Sequence, residues 1–239
     1  KSTYGTGAFV LLNTGTKIIY SKNRLLTTIA YRIKGKTTYA MEGSIFIAGA
    51  GVQWLRDKLN FFKKASETEN IVKSLKDNKG VYLVPAFTGL GAPYWDANAR
   101  GVLSGLTRDT GPKEIIRATI ESVAYQTYDL FEAMKHDGLR PRLVKVDGGM
   151  VMNNWFSQFL SNVVDIKVLR PKVQETTALG AAYMAGLQIG VYKSLKDISK
   201  NWRLDKNFTP KINSKERNNL VKGWSAAIKK TLTKQSTIV

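Results

Sequence analysis

The chain is expected to fold as an α/β protein with a mixed sheet flanked by helices, and three observations lead there. Residues 3–47 read as a run of short strands broken by turns. After Ser44 the pattern changes to helices alternating with strands. A hydrophobic strand, Leu143 to Val146, then runs through Asp147 into Gly148-Gly149, with an amphipathic helix close behind. Antiparallel strands followed by α/β alternation fit a mixed sheet covered by helices, and 239 residues suffice for one such domain over the whole length, 1–239.

Ala8 to Leu12 is an apolar run closed by the turn Asn13-Thr14-Gly15. Strands are expected at Lys17 to Tyr20 and at Leu26 to Ile33, and Lys34-Gly35-Lys36 then turns into Thr37 to Met41. Ile45, Ala48, Val52, Leu55 and Leu59 recur at helical spacing and predict a helix over Ser44 to Phe62. A lysine-rich helical segment, Glu67 to Asp77, precedes a buried type of strand, Val81 to Pro85. Residues 86–111 form a glycine-rich irregular segment, of a length that is often functional, with room for a strand at Gly101 to Leu106. The long helix that follows has Pro112 at its start and Gly138 past its end, the favoured terminal pair. Ile116, Ile120, Val123, Phe131 and Met134 form its apolar face. Strand 143–147, helix 154–164, strand 166–169 and the small-residue helix Thr177 to Ile189 come next. An amphipathic helix, Lys215 to Lys234, closes the chain with the stripe Leu220, Trp224, Ile228, Leu232.

Composition removes several functions. No run of about 18 apolar residues exists, so no helical membrane span is expected. Cysteine is absent, which rules out disulfides and thiolate metal sites. The one histidine, His136, closes a helix and is read as a terminal residue rather than a catalyst. The formal charge of +19 raises the question of nucleic acid. The basic residues are dispersed lysines, however, and Lys222, Lys229 and Lys230 lie away from the apolar stripe of their helix, as on a solvated face. The sequence opens without Met and leads almost at once into Tyr4-Gly5-Thr6-Gly7, which suggests a piece of a longer chain.

The Gly148-Gly149 junction offers a backbone that a ligand can approach with no Cβ in the way. A helix beginning near Asn153 would aim its free N–H groups at the same place, as at many phosphate and nucleotide sites. Gly49 and Gln53 sit one helical turn apart and share a face. Gly5 and Gly7 free the backbone around Thr6 at a hairpin tip. Read without further context, Gly49 is a packing glycine, Gln53 an exposed polar residue, Asn153 a helix cap and Phe9 an ordinary strand residue. Arg100 and Arg108 could hold phosphate, although surface arginines are the commoner outcome.

Taken together, several blocks resemble the C-terminal domain of the FGGY carbohydrate kinases, and within them the glycerol kinase branch. They are Lys1 to Gly7; Leu26 to Ala30; Glu42-Gly43-Ser44; Ala48 to Asp57; Pro85 to Asp96; Gly101 to Leu106; Glu114-Ile115; Ala118 to Glu121; Asp147-Gly148-Gly149 with Asn153; and Thr176 to Ala182. Pro85 to Asp96 is the most specific. The resemblance runs from residue 1 to about 232 and implies an actin-like ATPase domain, related to ribonuclease H, forming one lobe of a two-lobed kinase. It implies ATP or ADP with Mg²⁺ as cofactors and glycerol as acceptor, with Thr6, Gly49, Gln53, Gly149 and Asn153 around the nucleotide. Phe9 would pack on the glycerol backbone. No catalytic residue and no metal ligand falls in this chain, because the family's catalytic aspartate precedes the hairpin; the isolated chain is therefore expected to be inactive. The resemblance further implies an N-terminal lobe as partner and a cytoplasmic homo-oligomer; from composition, no nucleic-acid partner and no membrane span are expected. The alternatives are another FGGY sugar kinase, a basic nucleic-acid-binding domain on a ribonuclease H-like scaffold, or a non-catalytic actin-like scaffold.

Overall fold

A computed structural model describes residues 1–233. Four strands open the chain: β1 (Ser2–Tyr4), β2 (Ala8–Gly15), β3 (Leu26–Ile33) and β4 (Lys36–Ile45). Helices α1 (Gly49–Asp57) and α2 (Glu67–Lys73), strands β5 (Tyr82–Val84) and β6 (Val102–Ser104), and the long α3 (Pro112–His136) follow. Then come β7 (Leu143–Asp147), a 3₁₀ turn (Gly149–Met152), α4 (Asn154–Val164), β8 (Lys167–Pro171), α5 (Thr176–Gln188), α6 (Leu195–Ser199), β9 (Leu204–Phe208) and α7 (Ser214–Thr231).

Seven strands form one mixed sheet in the order β3-β4-β2-β1-β7-β8-β9, and β5 pairs with β6 apart from it. β1 is the seam. It runs antiparallel to β2 and parallel to β7, so the meander and the α/β half meet there. In β2, Ala8 and Val10 turn into the core while Phe9 faces out, the period-two pattern of a half-buried strand. α3 packs on α1, α2, α4 and β5, and its Ile116, Ile120, Val123, Leu130 and Met134 are buried. Its start is held by Glu114, whose carboxylate accepts the Gly111 N–H at 3.0 Å, and its end by Gly138 at φ +81°. α7 closes the core with Trp224 and Ile228 buried, as its stripe predicts.

Some elements differ from the sequence expectation. Lys17 to Tyr20 is loop, because both edges of β2 are already taken by β1 and β4. The following residues bond instead to Asp137, which accepts from Ser21 Oγ at 2.5 Å, from the Lys22 N–H at 2.8 Å and from Asn23 Nδ2 at 2.7 Å. Asn13-Thr14-Gly15 is a bulge at the end of β2 rather than its closing turn. The helix expected from Ser44 begins at Gly49, since Ser44 and Ile45 pair with Phe9 and Ala8; ladder bonds override the helical spacing of Ile45. That helix ends at Asp57, short of Phe62. β9 is an unforeseen strand, exposed except at Phe208. α7 ends at Thr231; Lys234, the expected end, lies outside the described residues.

Candidate nucleotide site

Three stretches far apart in sequence meet beside the end of β1. The hairpin tip Gly5-Thr6 lies against the start of α1, where Gly5 O accepts from Gly49 N at 2.9 Å and Thr6 O accepts from Ala48 N at 2.9 Å and Ala50 N at 3.0 Å. The unpaired donors of the helix start are thus used by the hairpin. This explains Gly49: a Cβ there would stand 2.6 Å from Gly5 O.

The two glycines after β7 do different work. Gly148 has φ +91°, and a Cβ on it would fall 2.4 Å from Tyr4 O, so it lets β7 and β1 approach. At Gly149 a Cβ would meet nothing within 4 Å; the space beside it is open. The helix after this junction does not begin at once. A 3₁₀ turn, Gly149–Met152, intervenes, and Asn153 caps α4 by accepting from Phe156 N at 3.0 Å. The next amide, Asn154 N, donates to Glu69 at 3.1 Å. The expectation that α4 aims free N–H groups at a ligand is therefore narrowed, since two of its first three amides, those of Asn154 and Phe156, are occupied by Glu69 and Asn153.

Between these parts lies a cleft of about 520 Å³ lined by Thr6, Gly49, Gln53, Gly149 and Asn153, all five residues expected around a nucleotide. The sequence reading missed its second wall, Ala65, Ser66, Thr68 and Glu69 at the start of α2, and Arg56 on α1. Arg56 is three residues from Gln53 and could have been found by helical spacing. The α2 wall could not, because its bonds to Asn153 and Asn154 cross 85 residues: Asn153 Nδ2 donates to Thr68 Oγ1 at 3.3 Å, beside the Glu69 contact.

Phe9 is not part of this cleft. It is 53% exposed and lines a separate depression of about 730 Å³ with Lys1, Leu11, Thr177 and Gly180. Arg100 is a structural residue that donates to Ala99 O at 2.8 Å, and Arg108 is exposed. The glycine-rich residues 86–111 do not border the cleft. Within them Trp95 Nε1 donates to Arg24 O at 2.7 Å, and Asp96 accepts from Thr233 N at 2.7 Å, so the block fastens loops.

Residues 1–189 match the model of the C-terminal domain of the FGGY family of carbohydrate kinases. The chain belongs to that family. It is 56% identical over 228 residues to a glycerol kinase of Alteromonas mediterranea, covering 95% of this chain and 46% of that protein. The crystal structure of Plasmodium falciparum glycerol kinase with ADP superposes with a TM-score of 0.89 at 38% identity, over 98% of this chain and 47% of that one. Gluconate kinase of Lactobacillus acidophilus, 23% identical with a TM-score of 0.80 over 95% of this chain and 46% of its own, shares the fold. That fold is the actin-like ATPase fold. The chain spans about half the length of the curated relatives it matches. Among the described residues no helix is long and apolar enough to cross a membrane.

Proposed function

We propose that this chain, as one domain over 1–239, is the nucleotide-binding lobe of an ATP-dependent glycerol kinase that transfers the γ-phosphate of ATP to glycerol. The observation that carries the reading is the cleft, where Thr6, Gly49, Gln53, Gly149 and Asn153 face one open volume. Phosphoryl transfer depends on positioning and charge stabilisation. In this lobe Gly149 leaves room for the nucleotide to lie on the backbone, Thr6 presents its hydroxyl at the hairpin tip, and Gln53 and Asn153 offer amides from two walls. Mg²⁺ would come with the nucleotide phosphates. Among the described residues no three His, Cys, Asp or Glu side chains cluster to hold a metal.

The acceptor and the catalytic carboxylate belong to a companion N-terminal lobe. α5 supports a docking place for it: this helix has no charged residue, yet only Gly186 in it is buried. Phe9, in the depression bordered by Thr177 and Gly180, would then meet the glycerol backbone between the lobes. A cytoplasmic location and a homo-oligomeric assembly belong to the same reading.

The test is phosphorylation by the two-lobed protein with glycerol, xylulose and gluconate as competing acceptors. Glycerol is expected to be preferred, and Gly149→Trp to abolish turnover by filling the cleft. Preference for a sugar or sugar acid would move the protein to another branch of the family.

A further inference from the structure

Beneath the cleft lies a buried charge with no part in the reading above. Arg170 on β8 is 6% exposed and does not line the cleft. Its Nη1 donates to Val151 O at 2.7 Å and to Met152 O at 3.5 Å, the carbonyls that end the 3₁₀ turn. Its Nη2 donates to Asn154 Oδ1 at 3.3 Å, and its Nε to Asp205 Oδ2 at 2.7 Å. Asn154 in turn donates through its backbone N–H to Glu69 Oε2 at 3.1 Å and through Nδ2 to Glu69 Oε1 at 3.3 Å. Glu69 lines the opposite wall.

The guanidinium therefore holds the segment that carries Gly149, Met150, Met152 and Asn153, and through Asn154 it is linked to the start of α2. A 3₁₀ turn has poor internal hydrogen bonding; that between Val151 N and Gly148 O is 3.4 Å. External donors fixed by a rigid planar fork can supply what the turn lacks. The buried charge is met by Asp205 and by carbonyl and amide oxygens, as burial requires.

We infer that Arg170 is a positioning residue of the nucleotide site, which sets the floor Gly149–Asn153 and joins it through Asn154 to the Glu69 wall. This rests on the nucleotide reading for its consequence, and on geometry alone for the clamp itself.

The experiment compares Arg170→Lys, Asn154→Ala and Asp205→Asn in the full chain, with three readouts. NMR-detected amide exchange without ligand is expected to speed up about tenfold or more at Met150 to Asn153 in Arg170→Lys, as local opening becomes easier, and to stay unchanged in β2. ADP affinity by calorimetry is expected to fall about tenfold, the worth of one charge-assisted hydrogen bond. Asn154→Ala, which keeps the carbonyl contacts, is expected to lose less, and Asp205→Asn to stay within about twofold because its pair is partly exposed. Urea unfolding separates these effects from general stability. Unchanged exchange at 150–153, with ADP affinity within about twofold of the unsubstituted chain, would overturn the inference even if stability fell. If Arg170→Lys fails to fold, the exchange and affinity of Asn154→Ala decide the matter by the same criteria. Faster exchange together with no ADP binding by the unsubstituted chain or by the two-lobed protein would keep the clamp and sink the nucleotide reading.

Discussion

Two helices of this chain, α3 and α5, are both rich in apolar residues and have opposite fates. Seventeen of the 25 residues of α3 are buried, including the ion pair Arg117–Glu121 at 2.7 Å; of the 13 residues of α5 only Gly186 is buried. α3 carries charge and is the centre of the core. α5 carries none and lies open. A helix without a polar face is normally covered. The contrast teaches that apolarity marks where burial is wanted, in this chain or by another partner, and that composition alone does not tell the two apart.

The comparison is broken most strongly from the α3 side. Removing Arg117 leaves the Glu121 carboxylate uncompensated among Asn78, Tyr125 and the core, so Arg117→Ala should cost about 3–5 kcal/mol in urea unfolding. A loss under about 1 kcal/mol would mean that the α3 core tolerates unpaired charge, and the contrast with α5 would weaken.

A smaller effect is expected where α3 meets α7. Asp129 accepts from Trp224 Nε1 at 2.7 Å, and burial, the largest cause, pushes its carboxyl up to about 7 against the hydrogen bonds from Trp224 and Tyr94. The raised value means that the folded chain keeps this proton where the unfolded chain has released it. The associated stability is full below about pH 4 and is lost as pH rises through about 7. Asp129→Asn should flatten the pH dependence of Tm between those limits, and an unaltered profile would contradict the assignment.

The smallest effect on stability belongs to α5. Ala181→Lys on its exposed surface should leave unfolding within about 0.5 kcal/mol. The same change should cut glycerol phosphorylation by the two-lobed protein at least about tenfold if α5 is the proposed docking helix, since it would then place an unpaired charge in that interface. Equal activity would show that α5 is not the docking helix.

Much of this was legible in residues, for reasons that are local. The Pro112 and Gly138 ends of α3, the stripe of α7 and the alternation of β2 each depend on neighbours within a turn or a strand. The Gly-Gly junction was legible as a place, but not in its division of labour. Only the structure assigns Gly148 to packing on Tyr4 and Gly149 to open space. What was not legible is non-local. The α2 wall reaches the cleft across 85 residues, Lys17 to Tyr20 lacks a free strand edge, and β9 has too little alternation to announce itself.

The central claim is that the cleft between the hairpin tip, α1, α2 and the 3₁₀ turn receives a nucleotide. Residue-resolved NMR titration of the chain with ADP tests it most directly, because weak binding still moves amide signals. The account predicts saturable shifts clustered at Thr6, Gly49, Gln53, Gly149 and Asn153, lost in Gly149→Trp. Shifts confined to the Phe9 depression, or absent with this chain and with the two-lobed protein alike, would contradict it.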